Sequence, residues 1–265
     1  TENLRYGADY EAIQITPFLD FSADGGFDRA VEMCNGAGIC RKRTTGTMCP
    51  SFMATRDEEH STRGRANLLR AALSGTLPPE ELTGPRLFEA MDLCVECKAC
   101  KAECPSAVDM AKIKFEYLAH YYEANDVPLR TRIFANIGSL NQTGAGRLSS
   151  MVPNSITSNG LLRALMSSTL GITNNRGLPT LTNKPLPAWF KKHKKSQSGK
   201  VAERNFTRPR IAFFHDPFTN YNAPEVGIAT VEFLEAAGYE VIWPAHQGDG
   251  RPFVSKGLVK EAKQI

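Results

Sequence analysis

The chain has 265 residues, of which 42% are apolar and 23% charged, so it has the composition of a folded protein with one large or two small domains. Its net charge of +4 is too small to indicate nucleic-acid binding on its own. No apolar run approaches the roughly 20 residues that span a bilayer, and residues 1–5 lack the apolar segment of a signal peptide. We therefore expect a cytoplasmic protein that does not bind nucleic acid.

The N-terminal segment delivers the first cysteine. Residues 1–16 are polar with scattered aromatic side chains and are predicted to form a lead-in or linker. The pair Gly25-Gly26 marks a turn, and a short helix over residues 27–33 then leads to Cys34. All seven cysteines lie between residues 34 and 104. Such clustering without a secretion signal indicates metal binding in a reducing compartment rather than disulfides.

The clearest motif begins at Cys94 and ends at Pro105, and it reads CVECKACKAECP. Its spacing is C-x2-C-x2-C-x3-C-P, in which three thiolates on one tight loop can surround three corners of a cubane. The alternatives are a zinc knuckle or free structural thiols. Because a zinc site needs two CxxC pairs set further apart, the motif favours an iron–sulfur cluster.

An incomplete copy of this motif precedes it. Cys34 takes the first position, Ala37 the second, Cys40 the third and Cys49-Pro50 the last. The gap between Cys40 and Cys49 is longer than the usual three residues. The chain therefore carries two internal copies of one four-cysteine unit, and the first copy lacks its second ligand.

In two-cluster ferredoxins the fourth cysteine of each motif binds the other cluster. This rule gives cluster 1 a complete [4Fe–4S] ligand set: Cys94, Cys97, Cys100 and Cys49. It leaves cluster 2 with three thiolates and with Ala37 at the vacant corner: Cys34, Cys40 and Cys104. Cluster 2 is then a [3Fe–4S] cluster, a [4Fe–4S] cluster with water or another protein group at that corner, or an empty site.

Polar residues between the motifs are candidates to tune the clusters. His60 is a candidate fourth ligand or hydrogen-bond donor to sulfur, against the alternative of a surface or capping histidine. Arg56, Arg63 and Arg65 are candidates to offset the negative charge of a cluster and raise its potential, against the alternative of a solvated face.

Residues 17–170 are predicted to form the helical iron–sulfur domain. Asp109 is expected to cap a helix over residues 110–124, on which Ile113, Tyr117 and Tyr121 form a core stripe. Further helices are predicted over residues 66–73, 86–93, 128–138 and within 150–170.

The C-terminal third of the chain differs in its residue pattern from the predicted helical domain. Residues 171–207 are predicted to be a linker, and the basic run at residues 191–195 either contacts acidic lipid headgroups or is solvated. In residues 208–265, a strand at 210–214, a helix at 224–237 and a strand at 239–243 predict a parallel β-α-β unit. Two strands cannot make a stable parallel sheet alone, so we expect the rest of this α/β domain to lie outside the chain.

Several stretches together resemble the iron–sulfur part of bacterial FAD-linked oxidases, the fused D-lactate, D-2-hydroxyglutarate or glycolate dehydrogenases. They are residues 19–27, 40–42, 46–51 and 60–67. Residues 219–257 resemble the start of the cysteine-rich CCG domain of that family, although Gly248 and Asp249 stand where two cysteines usually precede the glycine. The missing ligand at Ala37 is similar to the family's own first motif.

The resemblance implies a function and a fold. In that family a 2-hydroxy acid gives a hydride to FAD, and electrons then pass singly through clusters to a quinone or another acceptor. No flavin domain is recognisable here, so the chain would supply the relay without a catalytic residue or substrate site of its own. The expected fold is mainly α: a helical ferredoxin-like two-cluster domain followed by the start of an α/β domain of the CCG type.

The expected partners are an FAD domain or subunit and an electron acceptor, with peripheral contact at the inner face of the cell membrane. A second hypothesis is a stand-alone iron–sulfur subunit that resembles those of heterodisulfide reductase and of anaerobic glycerol-3-phosphate dehydrogenase. A third hypothesis is a structural metal protein without redox function.

Overall fold

A computed structural model describes residues 10–198, 208–245 and 248–265. These residues are mainly helical, as predicted, with one small sheet. The chain divides into two compact units. Unit 1 comprises Thr1–Val127 and Phe253–Gln264, and unit 2 comprises Pro128–Pro252 and Ile265.

Six helices form the first part of unit 1. They are α1 (Phe27–Glu32), α2 (Pro50–Thr55), α3 (Thr62–Leu73), α4 (Pro85–Asp92), α5 (Ala99–Glu103) and α6 (Met110–Ala124). Short 3-10 turns lie at Ser22–Asp24, Ile39–Arg41, Glu58–His60 and Pro79–Thr83.

Most of the remaining helices, and both strands, belong to unit 2. They are α7 (Leu129–Ala135), α8 (Ile137–Gly144), α9 (Met151–Ser158), α10 (Gly160–Leu170), α11 (Leu186–Ser198), α12 (Pro217–Tyr221) and α13 (Pro224–Ala236), with strands β1 (Arg210–Ala212) and β2 (Glu240–Ile242). Two short helices end the chain, α14 (Arg251–Ser255) and α15 (Val259–Ala262).

Side-chain caps fix where the main helices of unit 1 begin. Asp109 accepts a hydrogen bond from the Lys112 backbone, which confirms the predicted start of α6. Ser61 accepts from the Gly64 backbone in the same way. Helix α3 therefore begins at Thr62, four residues before the start that apolar spacing alone predicts.

The core of unit 1 lies between α1, α3, α4 and α6. Val31, Leu69, Met91 and Ile113 are at most 1% exposed, and Tyr117 of the predicted stripe is buried with them. The buried Glu116 accepts hydrogen bonds from the backbone of Phe18 and Leu19 at 2.7 and 2.8 Å. These bonds fix the segment before α1 against α6, so residues 18–19 are part of the folded unit.

The C-terminal residues Phe253–Gln264 belong to unit 1, although the sequence placed them in the α/β segment. Gly257 packs so closely on Leu118 of α6 that a side chain there would overlap it. Lys260 pairs with Glu123 of the same helix, and the Lys263 ammonium donates to the Phe18 carbonyl at 2.6 Å.

Unit 2 contains more helices than the sequence predicted. The helices predicted over residues 128–138 and within 150–170 are each divided, α7 from α8 at Asn136 and α9 from α10 at Asn159. The side chain of Asn159 accepts from the Leu161 and Leu162 backbones, so it starts a new helix rather than continuing the old one.

The described part of the predicted linker, residues 171–198, includes helix α11. Its residues Leu186 and Phe190 are buried, so this part is folded and not a mobile connection. The sequence missed it because apolar residues are sparse there. Between the predicted strand at 210–214 and the predicted helix at 224–237 lies a further helix, α12, which Asp216 caps.

The β-α-β prediction is confirmed as a parallel pair. Arg210 lies opposite Glu240, Ile211 opposite Val241 and Ala212 opposite Ile242, and α13 lies between the strands in sequence. A small hydrophobic core includes residues of this β-α-β segment and of α11, and it contains Phe190, Val231 and Val241. None of the described helices is both long enough and apolar enough to cross a membrane.

Gly64 provides a test of how α3 packs on the turn before it. A methyl group at this position would overlap the Glu58 carbonyl, whereas Gly160 has open space around it. We expect Gly64→Ala to destabilise unit 1 by about 3 kcal/mol through overpacking, and Gly160→Ala to change the stability of unit 2 by less than about 0.5 kcal/mol. Calorimetric unfolding of both variants measures this, and equal effects would contradict the packing described.

Candidate metal centre

Four cysteines line one recess in unit 1. They are Cys49, Cys94, Cys97 and Cys100. Residues in the first turns of four helices also line it, including Ser51 of α2, Thr62 of α3, Ala99 of α5 and Met110 of α6. The structure thus brings together the set predicted for cluster 1, although Cys49 is 45 residues from Cys94 in sequence.

The loop between α4 and α5 presents Cys94 and Cys97, and Cys100 follows in the first turn of α5. Glu96 and Lys98 have φ angles of 58° and 59°, in the left-handed region that non-glycine residues seldom adopt. These two reversals keep the loop tight, so that Cys94 and Cys100 are partly or fully buried while Cys97 is exposed.

Cys49 enters the recess at the start of α2. It precedes Pro50, which occupies the first helical position. The Cys49 sulfur lies 3.4 Å from the Ser51 hydroxyl and 3.7 Å from the Arg65 guanidinium. Burial alone would raise the pKa of Cys49, but the Ser51 hydrogen bond and the charge of Arg65 hold that pKa below the usual thiol value.

Arg65 is completely buried beside Cys49. Its guanidinium donates to the Ala90 carbonyl at 2.6 Å, the His60 carbonyl at 2.8 Å and the Ser51 hydroxyl at 3.0 Å. A buried cation with these contacts joins α2, α3 and α4 around the recess. The sequence grouped Arg65 with Arg56 and Arg63, and only the structure distinguishes it.

Burial has the opposite effect on the thiols of the second motif. It raises the pKa of Cys94, and it raises the pKa of Cys100 to about 11. The thiolate is the form that binds metal, so these residues release protons when they bind iron. The positive charge of iron then replaces the proton that neutralises each buried sulfur.

Two helix N-termini point backbone N–H groups at cysteine sulfurs. The Arg63 N–H in the first turn of α3 donates to the Cys40 sulfur at 3.4 Å. The first N–H groups of α6, from Met110 and Ala111, face Cys100 and lower the pKa that burial raises. Because a helix N-terminus favours negative charge, both helices stabilise an anionic group at the cysteines.

The two motifs are held by equivalent buried cations. On α3, Arg70 donates to the carbonyls of Glu32 at 3.1 Å and Cys34 at 2.8 Å. On α6, Lys114 donates to the carbonyls of Asp92 at 3.2 Å and Cys94 at 2.7 Å.

In each half the contacts are thus to the first cysteine and to the residue two before it. The duplication predicted from the cysteines therefore extends to the helix after each motif. The sequence analysis did not identify Arg70 or Lys114. The signal that could have found them is a cation among the apolar positions of a helix.

The residues predicted for cluster 2 are only partly brought together. Cys34 and Cys40 are close enough to interact electrostatically. Cys104 follows Glu103, whose carboxylate accepts from the Thr47 backbone at 2.9 Å and pairs with Lys42 at 3.2 Å. This contact places Cys104 beside the segment that joins Cys40 to Cys49.

The predicted tuning residues lie at different distances from the sulfurs. The His60 ring hydrogen-bonds to the Thr55 hydroxyl, whereas its carbonyl lies 3.6 Å from the Cys49 sulfur. The Arg63 guanidinium bonds to Glu58 at 2.7 Å and to the Gly36 carbonyl at 3.2 Å, beside Ala37. Arg56 is exposed.

The cysteines of the recess are spread around it rather than gathered at one point. Among residues 10–198, 208–245 and 248–265, no three His, Cys, Asp or Glu side chains converge as a single metal ion requires. In a cubane each thiolate binds a different iron, so the sulfurs surround a larger body. Four thiols spread around one recess fit that requirement.

Comparison with known protein families decides the nature of this centre. Residues 33–109 match the 4Fe-4S dicluster domain family. The match covers both cysteine motifs, and the cofactors of this segment are therefore [4Fe–4S] clusters, as the motif spacing predicted for cluster 1. No solved structure matches the chain.

Curated relatives are distant and are oxidoreductases. The chain is 24% identical to D-2-hydroxyglutarate dehydrogenase from Pseudomonas putida over 92% of its own length and 28% of the relative's. It is 31% identical to a probable glycolate oxidase iron-sulfur subunit from Bacillus subtilis over 30% of the chain and 16% of that protein.

One subunit of anaerobic glycerol-3-phosphate dehydrogenase from Escherichia coli is 26% identical over 43% of the chain and 27% of that protein. The chain thus spans less than a third of the length of each of these three relatives.

The fork of hydrogen bonds at Arg65 can be tested with a charge-conserving change. Arg65→Lys keeps the cation but cannot reach Ala90, His60 and Ser51 together, so we expect metal affinity at this site to fall about 10- to 100-fold. Anaerobic titration with an iron chelator measures it. Arg56→Lys is the matched control, and we expect it to retain iron as the parent protein does.

Proposed function

We propose that this chain is the iron–sulfur electron-transfer segment of an FAD-linked 2-hydroxy-acid dehydrogenase. It receives electrons from a flavin domain outside the chain and passes them to a quinone or another acceptor. The single observation that carries the proposal is a dicluster segment in which four cysteines line one recess that opens at the surface.

We assign the ligands of cluster 1 to the four cysteines of the recess: Cys94, Cys97, Cys100 and Cys49. We assign the ligands of cluster 2 to the remaining three: Cys34, Cys40 and Cys104. Ala37 leaves one corner of cluster 2 without a thiolate. Its neighbour Gly36 accepts from Arg63, which also pairs with Glu58, so this corner lies beside an ion pair.

When bound, the clusters accept and release one electron at a time. The chain contributes a buried environment with compensating charge and one exposed edge. Cys97 lies at the surface, and the flanking Leu93 and Val95 are 45% and 66% exposed. This edge is where we place the contact with an electron donor or acceptor.

The relatives support the substrate class. The D-2-hydroxyglutarate dehydrogenases align over about nine-tenths of this chain, and the glycolate oxidase subunit aligns with part of it. D-2-hydroxyglutarate, D-lactate and glycolate share a hydroxyl group next to a carboxylate. We infer that such a 2-hydroxy acid is oxidised in the flavin domain. This chain then transfers the electrons and does not bind the acid.

Residues 208–252 support a CCG-type domain only in outline. The parallel pair of β1 and β2 with α13 is the expected start of an α/β fold. We propose that the remaining strands lie outside the chain. Because Gly248 and Asp249 replace the usual cysteines, we assign no cofactor to this part.

The second candidate function is a separate iron–sulfur subunit. The 26% identity to the anaerobic glycerol-3-phosphate dehydrogenase relative over 43% of the chain favours it. In that case the flavin would belong to a partner chain and the electron source would differ. The two candidates share the clusters and differ in the donor.

Serine substitutions test the ligand assignment. We expect Cys97→Ser to remove about four iron atoms per chain and the EPR signal of one [4Fe–4S] cluster, and to leave cluster 2 visible. Cys34→Ser should remove only the signal of cluster 2. EPR spectroscopy with iron quantitation, before and after reduction, measures both. An unchanged iron content and spectrum in Cys34→Ser would contradict the second ligand set.

The electron source is tested in the native assembly purified anaerobically from its source cells. We expect D-2-hydroxyglutarate, D-lactate or glycolate to reduce the clusters, seen as loss of visible absorbance and gain of an EPR signal. Reduction by glycerol 3-phosphate alone would support the second candidate. Reduction of flavin by substrate without reduction of the clusters would contradict a relay.

A further inference from the structure

Helices α9 and α10 of unit 2 have no buried residue. Seven large apolar side chains on and beside them are at least 40% exposed: Leu148, Met151, Val152, Ile156, Leu161, Leu162 and Leu165. Leu161 and Leu148 reach 83% and 77%. We call these two helices with Arg147 and Leu148 the apolar hairpin.

Four of the seven exposed side chains of the apolar hairpin share one surface. Met151, Val152 and Ile156 of α9 and Leu162 of α10 line a single open recess. An apolar surface shared by two helices is unlike the single exposed apolar residues that any protein carries. Surfaces of this kind mark interaction sites.

Helix stability gives a second reason to expect a covering partner. Helices α9 and α10 have 8 and 11 residues, lengths at which isolated helices are marginal in water. In proteins such helices are stabilised by burying an apolar face. The apolar hairpin has such a face, but none of its residues is buried among the described parts of the chain.

The charge of this region indicates the nature of the partner. Residues 128–198 contain no Asp or Glu. They contain ten basic residues: Arg130, Arg132, Arg147, Arg163, Arg176, Lys184, Lys191, Lys192, Lys194 and Lys195. A surface that is apolar and solely basic complements a surface that is apolar and anionic.

The basic side chains lie at the edges of the apolar hairpin. Arg163 donates to the carbonyl of Arg176 at 2.6 Å, and Arg130 donates to the carbonyl of Gly171 at 3.3 Å. The Arg163 bond holds the loop after α10 against the hairpin, and the Arg130 bond joins the end of α10 to α7. Arg147, just before α9, and Arg176, in that loop, are themselves exposed.

One acidic side chain borders α9 from another element. Glu225 of α13 lines a separate recess, together with Arg147, Met151 and polar residues such as Asn154 and Asn222. The recess that the apolar side chains of α9 and α10 share has no charged residue in its lining. The acid is therefore on the polar side of α9.

We propose that the apolar hairpin is a docking surface for an anionic phospholipid membrane. Its leucine, valine, isoleucine and methionine side chains insert at the boundary between headgroups and acyl chains, and the flanking arginines contact lipid phosphates. Amphipathic helices bind membranes by this combination of apolar area and attraction to anionic lipids. The binding is peripheral and does not depend on the electron-transfer function.

The test is flotation of the iron-loaded chain with lipid vesicles. Vesicles contain phosphatidylcholine alone or with phosphatidylglycerol, at low and at physiological salt. We expect binding to the anionic vesicles that weakens as salt is added, and weak binding to phosphatidylcholine alone. Leu161→Ser should lower the partition coefficient about tenfold by removing apolar area, and Arg147→Glu with Arg176→Glu should remove the preference for anionic lipid.

The matched control is Phe233→Ser on α13, which replaces another apolar side chain that is 72% exposed in unit 2. We expect it to bind vesicles as the parent chain does. Far-UV circular dichroism and iron content confirm that each variant is folded.

Three results would overturn the proposal. They are equal binding to neutral and anionic vesicles, full binding by Leu161→Ser, and self-association in sedimentation that Leu161→Ser abolishes while vesicles bind no chain. The last result would assign the surface to a second copy of the chain.

Discussion

Burying negatively charged sulfur is the constraint on which unit 1 depends. Thiolates in a protein interior are costly unless cations and hydrogen-bond donors face them. The chain meets this need with groups from several helices: Arg65 beside Cys49, and the first backbone N–H groups of α3 and α6 at Cys40 and Cys100. Each of these donors also belongs to the core packing. The iron–sulfur site and the helical core are therefore one structure, and neither could form its contacts without the other.

The duplication explains how one chain builds two such sites. In each half a helix ends at the first cysteine, and the later, longer helix supplies a buried cation to the carbonyls at that end. Arg70 does this for Cys34, and Lys114 does it for Cys94. The two halves differ in the length of one segment. A longer segment between Cys40 and Cys49 brings Cys49 to the recess of the second motif, and Glu103 anchors this segment through Lys42 and Thr47.

Local chemistry made much of the fold predictable from sequence. Cysteine spacing, the cap at Asp109, and the alternation of strand and helix after residue 208 depend on neighbours a few residues away. Arg65, Arg70 and Lys114 could not be assigned, because their roles are set by carbonyls 5 to 38 residues away that only folding brings close. For the same reason the sequence predicts a linker where α11 lies. Its buried residues, Leu186 and Phe190, are few, and their burial depends on residues that are distant in sequence.

The two units differ in how completely each covers its own apolar surface. Unit 1 buries the side chains between its helices, and its C-terminal residues 253–264 pack on α6. In unit 2 the β-α-β segment has a small core, while α9 and α10 bury no residue. A folded hairpin that exposes leucines among arginines, without a single acid between residues 128 and 198, has the surface of a membrane-binding element. Electron relay and membrane attachment would then belong to separate parts of the chain, so that changing one surface leaves the other intact.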